Sequence, residues 1–332
     1  MVTGVAGVPI SNDRAGAIEA VVVSFNTRAL LEACLDSLAR VCPALPVTVV
    51  DNASTDGSVA LVTERFPRCR LVAMPDNRGF AAAVNAGVAA TEAPFVFILN
   101  ADTAVEEDPL PALALAMQTH PRWAVAGPRL VYPDGRAQES RGPFPTVRAA
   151  LASFAGGRPG ERPLSADVIE IAPARHSVSA GPSMPPAWYL MGAALLFRRD
   201  ALVEVGSLDE SYFFYLEEVD WFRRAARAGW GWGLAPQARV VHHLGASLRA
   251  AEPALEMKIK RNWYRSRLRY FRRHGGRPAS AALRAASIPF LFANAARHQS
   301  GAWLKRDADR ALRARVAWGI LGDYVLARVE RW

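Results

Sequence analysis

The stretch Phe95-Val96-Phe97-Ile98-Leu99-Asn100-Ala101-Asp102-Thr103-Ala104-Val105-Glu106-Glu107-Asp108 decides how the rest of the chain is read. Five apolar residues in a row, two of them β-branched, predict a strand buried on both faces. It ends in an amide and a carboxylate. Ligands of open α/β sheets gather at the carboxyl ends of the strands, so Asn100 and Asp102 stand where a ligand or a hydrated cation is held. Taken alone, Asn-x-Asp is first a loop with capping residues before the next helix. The units around it decide between the two readings.

Three strand–helix units precede it. Ala20-Val21-Val22-Val23-Ser24-Phe25-Asn26 is a β-branched run ending in polar groups, with Leu30, Leu31, Cys34, Leu35 and Leu38 following at helical spacing. Val47-Thr48-Val49-Val50-Asp51 repeats the arrangement, and Asn52 to Ser58 supply turn and cap residues for a helix through Arg65. A short strand from Arg70 to Ala73 leads into Asp76-Asn77-Arg78-Gly79-Phe80 and an Ala-rich helix. Four such units in succession predict an α/β fold with a parallel sheet and helices on both faces. The first strand is followed by Ser24-Phe25-Asn26-Thr27, not by a dinucleotide-binding glycine fingerprint, and there is no Walker A sequence. The phosphates of a bound nucleotide therefore need another counter-charge, such as a metal ion.

Downstream, a helix to about His120, a strand near Ala124 to Gly127 and a hairpin around Tyr132-Pro133-Asp134-Gly135 are expected. Residues 154–186 are rich in Gly, Pro, Ser and Arg and read as a long mobile loop. Ala187 to Phe197 reads as one strand, followed by a helix from Arg199 or Asp200. The stretch Phe213-Phe214-Tyr215-Leu216-Glu217-Glu218-Val219-Asp220-Trp221-Phe222-Arg223-Arg224 sets three carboxylates among aromatics. Such packing desolvates a carboxylate and raises its pKa toward a value useful for proton transfer. Ala238 to Ser247 reads as a strand ending in the pair His242-His243.

The three cysteines form no Cys-x-x-Cys pattern, as suits a reduced cytoplasmic protein. No apolar run approaches the ~20 residues of a membrane span, and the first residues lack the features of a signal peptide. The net charge of +9 is uneven, since Arg249 to Trp332 carry nineteen Lys and Arg against six Asp and Glu. Lys258, Arg261, Arg265, Arg269 and Arg272 fall at three- and four-residue steps and predict one basic stripe on a helix, with further helices near 283–297 and 304–328. That tail points at an anionic surface. No nucleic-acid-binding module accompanies it, so an anionic bilayer is expected and a nucleic acid is not.

Together these stretches resemble the family 2 glycosyltransferases, and within them the bacterial rhamnosyltransferase-like branch. The carriers are Val23-Ser24-Phe25-Asn26, Val50 to Ser58, Asn77-Arg78-Gly79-Phe80 with Asn85-Ala86-Gly87, Leu99-Asn100-Ala101-Asp102, Gly192-Ala193-Ala194, Phe213 to Asp220 and His242 to Ser247. The resemblance implies a GT-A fold over residues 19–248, after a leader over 1–18 and before a basic helical extension over 249–332. It also implies a nucleotide-diphosphate sugar donor and inversion at the anomeric carbon. By the same resemblance Asp51 hydrogen-bonds the pyrimidine, Phe25 and Asn26 flank it, and Arg78 and Gly79 lie near the donor. Asn100 and Asp102 match the Asp-x-Asp motif, so Asp102 binds Mg²⁺ or Mn²⁺ with His242, or else His243, as second ligand. Asn100 supplies a carbonyl oxygen without charge, which lowers the expected metal affinity. Glu218 matches the general base and Glu217 stands beside it on the acceptor side; Asp220 and Arg224 orient the helix or the acceptor, and Trp188 either stacks on an acceptor sugar or belongs to the core.

The expected activity is transfer of a single sugar, rhamnose from a dTDP donor first, to a lipid-linked or polymeric glycan at the inner face of the plasma membrane. Galactofuranose, glucose or N-acetylglucosamine from a UDP donor, and a non-catalytic nucleotide-sugar-binding assembly protein, are the alternatives. A nucleotidyltransferase would need a basic Gly-rich loop after the first strand, which is missing.

Overall fold

The structure, a computed structural model, describes residues 17–150, 188–244, 253–305 and 308–326. The expected leader up to residue 16 and the expected loop over 154–186 lie outside the described residues. The chain divides into two compact units, Met1–Pro143 with Pro186–Glu252, and Phe144–Pro185 with Pro253–Trp332.

The first unit is built on strands β1 (Ile18–Ser24), β2 (Val47–Asp51), β3 (Arg70–Ala73), β4 (Phe95–Asn100), β5 (Thr103–Ala104), β6 (Trp123–Val131), β9 (Ala194–Arg198) and β10 (Gly231–His242). They form one sheet in the order β3-β2-β1-β4-β9-β6-β10-β5. The expected parallel half is present, with β2 beside β1 and β3, and β1 beside β4, all parallel. Ala20, Val21, Val22, Val96 and Phe97 are fully buried, as a strand covered on both faces requires. Helices α1 (Arg28–Val41), α2 (Ser58–Arg65), α3 (Phe80–Ala89) and α4 (Leu110–Thr119) follow the strands, and α5 (Arg199–Val205) and α6 (Glu217–Arg227) complete the unit.

The other half of the sheet is mixed, because β9 runs antiparallel to both β4 and β6. The apolar run from Ala187 to Phe197 is not one strand. It breaks between β8 (Trp188–Leu190), which pairs with β7 (Arg141–Pro143) in a separate ribbon, and β9. The break has a hydrogen-bond cause: Met191 N–H donates to Ser140 O, and Ala193 O accepts from Asn100 N–H. Gly192 is thereby set beside the end of β4.

The second unit contains α7 (Pro253–Lys305), interrupted at Gly276 where φ is 73°, and α8 (Ala308–Val325). Here the expected basic stripe is corrected. Arg261 and Arg265 turn toward Asp323 of α8, each gripping both carboxylate oxygens at 2.7 to 3.1 Å. Burial pushes the Asp323 carboxyl up, and the hydrogen bonds from Arg265 and Arg261 more than offset it and hold it below its ordinary value. A periodic run of cations thus reads as a solvated stripe only until one distant acid claims part of it.

Candidate active site

The carboxyl ends of β2, β1 and β4 lie side by side, with Ser24 opposite Asp51 and Val23 opposite Asn100. Asp51 is buried; one carboxylate oxygen accepts from Ser54 N–H at 2.8 Å, and the other has no hydrogen-bond partner. That open acceptor suits a ring N–H. Asn26 is fixed beside it, since its N–H donates to Ser54 Oγ at 2.9 Å and its Oδ1 accepts from Thr55 N–H at 2.8 Å. Phe25 is half-buried between Ser24 and Asn26.

The loop carrying Arg78 and Gly79 is tied down by Asn52, a buried residue that the sequence reading passed over. Its amide donates to Asn77 Oδ1 and Gly79 O, and its Oδ1 accepts from Arg78 N–H. The Arg78 guanidinium pairs with Glu210 at 2.7 Å, and Asn85 donates to Glu210 as well. Gly79 is required by close approach to protein: with φ at 90°, a Cβ there would sit 2.3 Å from Phe213 O. The 77–79 loop is therefore packed on the segment that leads into Glu217 and Glu218.

At the end of β4 the turn Asn100–Asp102 is pinned on three sides. Asn100 N–H reaches Ala193 O, Ala101 N–H reaches Val23 O, and Asp102 O accepts from His243 N–H. Asp102 and His242 are both buried, with Asp102 Oδ1 3.4 Å from His242 Nε2. The Asn100 side-chain oxygen is buried without a hydrogen-bond partner. His243 instead faces a cleft lined by Asp36, Arg40 and Glu106. Among the described residues no three His, Cys, Asp or Glu side chains converge as a complete metal site. Two ligands and an amide oxygen do fit a cation whose remaining ligands come from a diphosphate and water.

Glu217 and Glu218 open α6, and one oxygen of each is buried without a partner. Burial pushes the Glu218 carboxyl up to about 7, while burial and then the charge of Glu218 push Glu217 well above the usual carboxylate range. The Glu218 side chain lies against Gly192, at ordinary contact distance from where a Cβ would stand. Tyr215 has its phenol pushed up by burial and then by the charges of Glu217, Glu218 and Asp102. Four described non-glycine residues, Asn26, Ala53, Tyr215 and Leu216, have a left-handed backbone, and all lie in these loops.

Asp220, Arg224 and Trp188 all make contacts with protein groups. Asp220 is fully buried and accepts from Arg224 Nε at 2.9 Å, and Arg224 also donates to Val205 O and Ser207 O at 2.8 Å. This pair anchors α6. Trp188 is half-buried with the Arg141 guanidinium over its ring, and its carbonyl accepts from Trp232 Nε1.

The family model described as glycosyl transferase family 2 matches residues 19–205. The chain belongs to this family. A Mycobacterium tuberculosis N-acetylglucosaminyl-diphospho-decaprenol L-rhamnosyltransferase is 32% identical over 241 residues, covering 67% of this chain and 75% of that one. The Rhizobium meliloti succinoglycan biosynthesis protein ExoO is 34% identical over 104 residues, 31% of this chain and 30% of that one. A solved mannosyltransferase from Pyrobaculum calidifontis in complex with GDP-Man and Mn²⁺ aligns with a TM-score of 0.49 at 16% identity, covering 95% of this chain and 87% of that one. This family 2 glycosyltransferase is thus of the rhamnosyltransferase type, and its mixed sheet is the GT-A sheet that the resemblance implied. Within the glycosyltransferase, the carboxyl ends of β1, β2 and β4 carry Asn26, Asp51 and Asp102, while Glu218 enters from α6.

Proposed function

We propose that this glycosyltransferase moves one rhamnose from dTDP-rhamnose to a lipid-linked glycan acceptor, with inversion by direct displacement. The observation that carries the mechanism is Glu218, a half-buried residue with one carboxylate oxygen buried and free of hydrogen bonds and its pKa pushed up to about 7 by burial. A general base works best with a pKa near the working pH. It takes the acceptor hydroxyl's proton as the new bond to the anomeric carbon forms and the nucleoside diphosphate leaves. Burial and the charge of Glu218 push Glu217 up as well, so the two neighbouring carboxyls titrate as a pair and one ionised carboxylate of the pair suffices to take the proton.

Asp51 accepts from the pyrimidine N–H through its open oxygen. Asp102, His242 and the carbonyl of Asn100 would hold Mg²⁺ or Mn²⁺, which neutralises charge developing on the departing diphosphate. Rhamnose and a polyprenyl-diphosphate acceptor rest on the mycobacterial relative's printed activity. Acceptor-dependent release of dTDP, measured across a panel of dTDP-, UDP- and GDP-sugars with and without EDTA, tests this. Turnover with dTDP-rhamnose, lowered at least tenfold by EDTA, is expected. Preference for a UDP-sugar would replace the donor, and binding without any turnover would leave a nucleotide-sugar-binding assembly protein.

The second unit serves as a peripheral anchor on the cytoplasmic face of an anionic bilayer. No helix among the described residues is long and apolar enough to cross a membrane. Support comes from exposed Lys258, Arg272, Arg273 and Arg277, and from Phe292 and Trp318, which are 55% and 38% exposed with rings 5.7 Å apart. Cations near an anionic surface add about 1 kcal/mol each, and aromatic rings settle at the interface. Sedimentation with liposomes of graded anionic lipid content is expected to pellet the full chain. Trp318→Ala with Phe292→Ala should weaken binding several-fold, and equal sedimentation with neutral liposomes would remove the anchor.

A further inference from the structure

We infer that Gln138 is a positioning residue that sets the tautomer of His242 and aims its Nε2 at the cation site beside Asp102. The inference rests on the cation reading above, but the geometry behind it is independent of any bound group. Gln138 follows the turn after β6, is 8% exposed, and donates its own N–H to Leu130 O at 2.9 Å. Its side-chain Nε2 donates to the backbone carbonyl of His242 at 3.2 Å. A carbonyl oxygen only accepts, so the amide nitrogen must lie on that side and Oε1 on the other. Oε1 faces His242 Nδ1 at 2.6 Å, and because Oε1 also only accepts, Nδ1 must carry the hydrogen. In the neutral ring the lone pair is then on Nε2, which stands 3.4 Å from Asp102 Oδ1.

A lone-pair nitrogen and a carboxylate oxygen at that separation match two neighbouring ligands of one cation, which at bond lengths of about 2.1 Å lie roughly 3 Å apart. Ligating histidines commonly have the other ring nitrogen held by an acceptor, and loss of that acceptor costs about 10- to 100-fold in metal affinity. Here the acceptor is an amide gripping ring and backbone of the same residue, so the amide cannot flip without setting its oxygen against the His242 carbonyl. Ser140, two residues on, keeps the segment in register by accepting from Leu130 N–H at 2.8 Å.

The test measures Mn²⁺ binding to the full chain without donor, by electron paramagnetic resonance, with the His242 tautomer read from ¹⁵N chemical shifts at pH 8. Gln138→Ala is expected to weaken Mn²⁺ binding about 10- to 100-fold and to mix the tautomers. Gln138→Glu, which still accepts from Nδ1–H but no longer donates to His242 O, should keep the Nδ1–H tautomer and bind Mn²⁺ more tightly than Gln138→Ala. Wild-type affinity in Gln138→Ala, with binding lost in His242→Ala, would overturn the role of Gln138 and leave the cation site standing. Equal loss in Gln138→Ala and Gln138→Glu would make the residue merely structural and also overturn it. Wild-type affinity in His242→Ala would instead overturn the cation reading beneath the inference.

Discussion

Glu218→Gln is expected to lower kcat by about 10²- to 10⁴-fold, the usual contribution of a positioned general base, with little change in donor affinity. The side chain keeps its size and its place against Gly192 but can no longer take a proton. In the parent enzyme kcat/KM should rise with pH through a midpoint near 7 and then level, because the base must be ionised. A rising limb is still expected in Glu217→Gln, since Glu218 is still there to take the proton. A Glu218→Gln enzyme with undiminished turnover and an unchanged limb would remove Glu218 from the chemistry.

The same substitution is expected to stabilise the fold at alkaline pH. A carboxyl whose pKa is raised by burial binds its proton more tightly folded than unfolded. Stability is therefore highest below the ordinary value near 4.5 and falls as pH rises toward about 7, where the buried group is forced to ionise. The loss is about 3 kcal/mol at 1.36 kcal/mol per unit. Glutamine carries no charge at either end of that window. Denaturation at pH 4 and pH 8 should thus show little difference between parent and Glu218→Gln at the lower pH and a more stable variant at the higher. Catalytic function here is opposed to stability, as expected of a site that holds a charge in a poor solvent.

How much of this was legible depended on whether a residue acts through its own strand or through a distant one. Asp51 and the pair Asn100 and Asp102 could be singled out because they are the first polar groups after buried apolar runs, and strand ends in such sheets carry ligands. Glu218 could be read because carboxylates among aromatics are unusual. Gln138 could not, since its partner His242 lies 104 residues away and nothing in a turn segment marks a glutamine as special. Asn52 and Glu210 were hidden for the same reason, each acting on the 77–79 loop across 25 residues or more. The break at Met191–Ala193 was concealed by an apolar run whose periodicity is indifferent to which backbone groups find outside partners. The basic stripe failed similarly, because Asp323 comes 58 residues after Arg265.

Gly79→Ala is expected to destabilise the first unit by about 3 kcal/mol or more and to lower kcat/KM, although no part of Gly79 takes part in proton transfer. Two effects add. With φ at 90° and ψ at 172° the backbone lies in a region kept essentially to glycine, which for an L side chain costs about 1 to 3 kcal/mol. The new Cβ would also stand 2.3 Å from Phe213 O and 2.8 Å from Phe213 Cα, which are backbone atoms and cannot rotate aside. Gly135→Ala separates the two. Its φ is 82° with nothing within 4 Å of the added Cβ, so it should lose only about 1 kcal/mol and keep full activity. The activity loss in Gly79→Ala follows from what Phe213 adjoins. Phe80 N–H donates to Phe213 O at 2.9 Å, and Tyr215 and Leu216, both already left-handed, connect Phe213 to Glu217 and Glu218. Pushing Phe213 outward moves the first turn of α6, and a displacement of about 1 Å at a catalytic group can cost 10²-fold. Urea denaturation and steady-state kinetics on the two variants check this. Equal stability loss in both, with kcat/KM unchanged in Gly79→Ala, would show that the donor loop and the general base are not mechanically joined.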